Sequence, residues 1–129
     1  MEFPENLKYT KGHEWVRVQG TRAVCGITDY AQHELSDVVY VELPEADATL
    51  AAGEQCAVVE SVKIASDIYA PVSGKVTRVN TELDGAPEVV NADPFGGGWF
   101  FEIEMSEPSE LDAMMEAGDY KAYTEAGAE

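Results

Sequence analysis

The chain has 129 residues, a mass of 14.0 kDa, and 8 Lys+Arg against 25 Asp+Glu, giving a formal net charge of −17 and a pI near 4.2. That length fits one domain over 1–129, and 45% apolar residues can form a core without staples. So few cations argue against a nucleic-acid face or an anionic membrane surface, and no apolar run approaches the roughly eighteen residues of a membrane span.

The first hundred residues read mostly as strands. Tyr9, Trp15, Val16, Val18, Val24 and Ile27 are β-branched or aromatic, broken by Gly12, Gly20 and Gly26. Thr28 has the chemistry of a helix N-cap, with Asp29 in the first turn, and predicts a short helix over Tyr30–Asp37. Val38–Leu43 is a strand stopped by Pro44, and Glu45–Ala52 is a polar connection. Gly53 opens a strand over Cys56–Val62, and a second run, Ile64–Ala70, follows with only Lys63 between. Pro71 and Gly74 mark a turn before a strand over Lys75–Val79. Thr81–Pro94 reads as a loop, and Gly96–Gly98 permits a sharp turn into a last strand, Trp99–Met105. The period then changes: Leu111, Met114 and Met115 make a helical stripe capped by Ser106 and ended by Gly118, within a C-terminal helical segment of about 107–126. Asp119–Glu125 adds another turn or two, and Gly127–Glu129 is expected to fray. Many short strands with helices at the flanks predict a small β barrel or sandwich.

The chemistry converges on Lys63. It is the only basic residue between Arg22 and Lys75. Val62 and Ile64 flank it and favour extended backbone. Strand-like runs lie on each side, with Gly53 and Gly74 nearly equidistant from it, so the pattern reads as a hairpin with Lys63 at its tip. An ordinary surface lysine in a turn is the competing reading. The usual Asn-Gly or Gly-X turn formers are absent, however, so turn chemistry alone did not select Val-Lys-Ile.

Glu60-Ser61-Val62-Lys63, Ser66-Asp67 and Ala70-Pro71-Val72-Ser73-Gly74 resemble the lipoyl-attachment motif of the glycine cleavage H-protein family. The resemblance runs along the chain through Leu7-Lys8-Tyr9, His13-Glu14-Trp15, Gly26-Ile27-Thr28, Ala31-Gln32, Val41-Glu42-Leu43-Pro44, Val90-Asn91, Pro94 and Gly98-Trp99. It implies a mainly β, flattened barrel-sandwich hybrid of the lipoyl-domain kind, with short flanking helices including a C-terminal one. It implies lipoic acid in amide linkage to Lys63, and a carrier rather than a catalyst. The implied partners are a pyridoxal-phosphate glycine decarboxylase, a tetrahydrofolate-dependent aminomethyltransferase, dihydrolipoyl dehydrogenase and lipoate-attaching enzymes. Glu14 is implied to hold the loaded arm in a surface cleft. Gly12 stands where many members carry a hydroxyl or a charge, so that contact is missing here. Glu60 and Asp67 are implied to present charge to the modifying enzyme. A solvated acidic rim is the alternative for those two, and the wet face of a strand is the alternative for Glu14.

Other features carry less. Cys25 and Cys56 have the neighbours of small buried hydrophobes rather than of a redox pair. His13 and His33 are twenty residues apart with no metal-ligand spacing, and the glycine triplet lacks a phosphate-loop pattern. No signal-peptide core or Arg-rich presequence opens the chain, which predicts a cytoplasmic protein. No apolar stripe demands a dimer, so a monomer is expected. The strong acidity suits a carrier that meets several enzymes by long-range attraction. An H-like relay of octanoyl or lipoyl groups is the rival within the same fold. A biotin carrier is disfavoured, because methionine usually flanks its lysine.

Overall fold

The alternating β-branched and aromatic runs become nine strands among the described residues, 1–127 of a computed structural model. They are β1 (Lys8–Tyr9), β2 (Glu14–Gln19), β3 (Arg22–Ile27), β4 (Val38–Glu42), β5 (Thr49–Leu50), β6 (Gln55–Ser61), β7 (Ala65–Tyr69), β8 (Gly74–Val79) and β9 (Phe101–Met105). A six-stranded sheet has the order β1-β2-β3-β9-β8-β5, and a three-stranded sheet has the order β4-β6-β7; all pairings are antiparallel. Period-two alternation turns Val16, Ala23, Cys25, Phe101 and Ile103 of the larger sheet onto Val41, Ala57, Val59 and Ile68 of the smaller, in one buried cluster. The sheets stay separate rather than closing into a barrel, as expected of a barrel-sandwich hybrid.

A second cluster covers the other face of the larger sheet. Leu7, Tyr9, Trp15, Val24, Phe95, Ala117 and Tyr120 pack there. Gly26 does not break β3. It faces Trp15 across the β2–β3 ladder, and a Cβ on it would stand 2.7 Å from the indole, so the glycine makes room for the ring. The Gly96–Gly98 turn wraps over Asp93, whose backbone oxygen lies 2.8 Å from where a Gly98 Cβ would be. The last strand starts at Phe101 rather than Trp99.

Thr28 caps α1 (Asp29–Leu35) as its side chain predicts, its Oγ1 accepting the Ala31 N–H at 3.1 Å. Three expectations fail. The polar connection 45–52 contains β5, whose Thr49 and Leu50 pair with Lys75 and Gly74; two residues are too few to show a period. The stretch 81–94 holds two single-turn helices, α2 (Glu82–Gly85) and α3 (Val89–Ala92), which bury Leu83 and Val90 on either side of Pro87. The C-terminal helix is two helices. A 3₁₀ helix (Pro108–Ala113) ends because Met115 is drawn into a bridge with Tyr9, each donating its N–H to the other's carbonyl at 2.8 Å. The chain then restarts as α4 (Ala117–Glu125), which runs through Gly118 instead of ending there. The expected fraying concerns Ala128 and Glu129 as well as Gly127, and those two lie outside the described residues.

Both cysteines are free thiols, as their neighbours predict. Cys25 is buried and Cys56 half-buried, and burial pushes the Cys56 thiol up to about 12.

Candidate functional site

β6 and β7 form the expected hairpin, with Glu60 opposite Ala65 and Val58 opposite Asp67. Lys63 stands in the four-residue turn Ser61–Ile64. No residue of that turn has positive φ, so it needs no glycine. Ser61 supplies the turn chemistry instead. Its Oγ accepts the N–H groups of Lys63 and Ile64, each at 3.1 Å, while its own N–H donates to Ile64 O at 2.8 Å. Val62 N–H donates to Asp37 O at 3.0 Å, tying the tip to the link between α1 and β4. A serine-capped turn thus takes the place of Asn-Gly. Ser61 was visible in the motif, but its role was not.

The hairpin's other end differs from the sequence reading. Gly53 does sit at its base, at φ 88, and donates its N–H to Ala70 O at 2.8 Å. Gly74 does not. After Tyr69 the chain crosses through Pro71–Ser73 into the larger sheet, where Gly74 pairs with Leu50 and Met105.

Lys63 is exposed, and its Nζ reaches one partner, the carbonyl of Glu34 on α1, at 3.4 Å. Among the described residues it makes no ion pair. The flanking Val62 and Ile64 are 65% and 54% exposed, so the amine stands on an apolar knuckle. Beside it lies a cleft of about 270 Å³ between α1 (Tyr30, Ala31, Glu34, Leu35), β7 with its turn (Ile64, Ser66, Ile68) and the Gly12–His13 turn.

Glu14 does not line this cleft. Its carboxylate is buried directly behind Gly12, 3.0 Å from where a Cβ on that glycine would stand. It accepts a hydrogen bond from the Thr10 hydroxyl and, at 3.2 Å, the Tyr69 N–H of β7. Burial pushes its carboxyl above the usual range, and these donors only partly pull it back. A larger residue in place of Gly12 would press against that carboxylate. Glu60 and Asp67 are both exposed on the outer face of the smaller sheet.

Charge is segregated between the sheets. On the larger one, Arg17, Val24, Glu102 and Arg78 form one row across four strands, and Gln19, Arg22, Glu104 and Lys75 form the next. Four of the chain's eight cations lie in these two rows, and Arg22 and Arg78 are paired with Glu104 and Glu102 at 3.1 and 3.2 Å. On the smaller sheet the rows are Tyr40, Glu60, Ala65 and Glu42, Val58, Asp67. Lys63 is the only cation of that sheet and its turns.

Residues 7–127 match the family model of the glycine cleavage H-protein. The chain belongs to the glycine cleavage H-protein family. The glycine cleavage system H protein of Symbiobacterium thermophilum is 52% identical over 124 residues, covering 96% of this chain and 97% of that one. The same-named protein of an Escherichia coli strain is 53% identical over 125 residues, 95% and 96% of the two chains. A crystal structure of the H protein from Mycobacterium marinum superimposes with a TM-score of 0.87 at 35% identity, over 94% of this chain and 98% of that one. As an H-protein family member the chain is a lipoyl-carrier component of the glycine cleavage system. The matched span takes in the hairpin, the walls of the cleft and all of α4, so the site described above lies wholly inside it. None of the described helices is long and apolar enough to cross a membrane.

Proposed function

We propose that this chain carries lipoic acid in amide linkage to Lys63 and shuttles the aminomethyl group of glycine. It takes that group from a pyridoxal-phosphate decarboxylase to a tetrahydrofolate-dependent aminomethyltransferase, and passes electrons to dihydrolipoyl dehydrogenase. It performs no chemistry of its own, acts as a monomer, and works in the cytoplasm, where Cys25 and Cys56 stay reduced. The observation that carries the reading is the exposed amine of Lys63, free of ion pairs among the described residues, at a serine-capped hairpin tip beside a partly apolar cleft. When attached, the dithiolane supplies a reducible disulfide that accepts the group and the electrons. The residues present suit it. Acylation needs a free amine, and the cleft offers Ile27, Ala31, Leu35, Ile64 and Ile68 to an alkyl chain. Peptide mass mapping of protein made in lipoate-competent cells should find one lipoyl group, on Lys63; an unmodified Lys63 overturns the proposal. A cleft able to shelter a loaded group favours the carrier over an octanoyl or lipoyl relay, which has no unstable cargo to protect.

Glu14 attracts the ammonium end of the loaded arm from behind Gly12, in a setting where little water competes. Glu14→Gln should shorten the lifetime of the loaded form about tenfold, the effect of losing a charge-assisted hydrogen bond. The sign with pH follows from linkage. Only the carboxylate binds the ammonium, so docking weakens as pH falls, starting at the raised pKa of free Glu14 and finishing below the lower pKa of the docked state. The lifetime advantage of wild type over Glu14→Gln should therefore shrink on acidification from above the ordinary carboxylate range. A constant ratio of lifetimes across that range would remove Glu14 from docking.

Glu60 and Asp67 present negative charge on either strand of the hairpin to the lipoate-attaching enzyme. Glu60→Ala and Asp67→Ala are each expected to slow attachment about fivefold, as loss of an exposed complementary charge does. Their melting curves should match wild type, since both side chains are exposed. Wild-type attachment rates for both variants would reduce these acids to a solvated rim.

A further inference from the structure

The two walls that flank the cleft's inner end come from distant parts of the chain. One is the Gly12–His13 turn, with His13 at φ 70. The other is α1, which begins at the Thr28 cap. Their backbones meet in one hydrogen bond, from Thr28 N–H to His13 O at 3.0 Å. Behind that contact sits the side chain of Tyr120 from α4. Its hydroxyl lies 2.9 Å from His13 Nδ1 and 2.7 Å from Thr28 Oγ1. Thr28 Oγ1 already accepts the Ala31 N–H, so its own proton can pass to Tyr120, whose proton then goes to His13 Nδ1. In that arrangement each hydroxyl donates once.

The pin is rigid. Tyr120 is fully buried, its ring stacked on Tyr9 at 4.6 Å and 3° and met edge-on by Phe3 at 5.8 Å. The His13 ring lies against Tyr30 at 4.8 Å, and both line the cleft; Tyr120 does not. We propose that Tyr120 is a positioning residue for arm docking: its hydroxyl ties the His13 wall to the helix cap of the α1 wall and so sets the spacing between them. This rests on the reading of the cleft as the docking site. It also assigns α4 a task beyond covering the sheet, since α4 delivers the hydroxyl to the cleft's back.

Tyr120→Phe keeps the ring and removes the hydroxyl. In the unlipoylated chain, the nitrogen resonances of the His13 ring should move in Tyr120→Phe and stay in place in Thr28→Ser, which retains a hydroxyl. In the lipoylated, glycine-loaded protein, the loaded form of Tyr120→Phe should decay about fivefold faster, the effect of losing one net hydrogen bond's worth of ordering. Thr28→Val, which removes the hydroxyl's other partner, should act in the same direction, and Thr28→Ser should restore the wild-type lifetime. Attachment at Lys63 should proceed at the wild-type rate in all three variants, because neither Thr28 nor Tyr120 belongs to the β6–β7 hairpin. Wild-type lifetimes in both Tyr120→Phe and Thr28→Val, with wild type itself outlasting an unfolded loaded control, overturn the positioning role alone. Wild type decaying as fast as the unfolded control overturns the docking reading and this inference with it.

Discussion

Lys63→Arg is expected to fold, melt like wild type and carry no acyl group. The side chain is exposed and, among the described residues, makes no ion pair and one hydrogen bond, to Glu34 O, which is long at 3.4 Å. A substitution there should change stability by no more than about 0.5 kcal/mol. The chemistry changes completely. A guanidinium stays protonated at any working pH and its nitrogens are delocalised, so it does not accept an acyl group as a lysine amine does. The intact mass should be that of the bare chain, and glycine-dependent carrier activity should fall to background in the reconstituted system. The circular dichroism and melting curve should overlay wild type. An adduct persisting in Lys63→Arg, on any residue, would show that the arm is mounted elsewhere.

Gly74→Ala should produce the largest loss of stability of any single methyl added to this chain. A Cβ at that position would stand 2.0 Å from the backbone oxygen of Glu104 and 2.6 Å from Cγ2 of Ile103, with φ at 155. Flexible side chains could yield, but a ladder carbonyl of the neighbouring strand cannot. β8 is held between β9 and β5 at this residue, so relieving the clash means parting strands on one side. The cost should be about 3 kcal/mol or more, at the upper end of overpacking effects. Urea unfolding should show it as a lowered midpoint with an unchanged slope. Gly118→Ala provides the contrast. Among the described residues nothing beyond its chain neighbours and its own helix backbone lies within 4 Å of its Cβ position, and alanine favours the helix it occupies, so that variant should gain up to about 1 kcal/mol. Equal midpoints for Gly74→Ala and wild type would mean that this sheet yields far more readily than its register implies.

The two glycines show why parts of the fold were legible and others were not. Thr28, the β4 run and the Lys63 hairpin could be read locally, because cap chemistry, alternation and a symmetric pair of strand-like runs each act within a few residues. Gly118 misled because glycine commonly ends helices, while the actual break, at Met115, is made by pairing with Tyr9 more than a hundred residues away. Gly74 misled in the opposite way. It reads as the far end of a hairpin, but it serves a close approach to β9 that no neighbour in the chain announces. β5, α2 and α3 are too short to display a period, and packing rather than propensity holds them.

The functional site divides along the same line. Local order alone determined the Lys63 turn: Val62 and Ile64 favour extended backbone, Ser61 closes the turn within three residues, and the acid-rich stretch around Lys63 isolates a single amine. Everything that surrounds the amine was decided by the tertiary structure. The cleft joins Gly12, α1 and β7, the Glu14 carboxylate is buried against the Tyr69 amide, and Tyr120 reaches His13 and Thr28 from the last helix. A turn needs only its own backbone and one hydroxyl, and so can be read from a short segment. A cavity and the pKa of a carboxylate behind it depend on which distant chains exclude water there, and only the packed sheets bring those chains together.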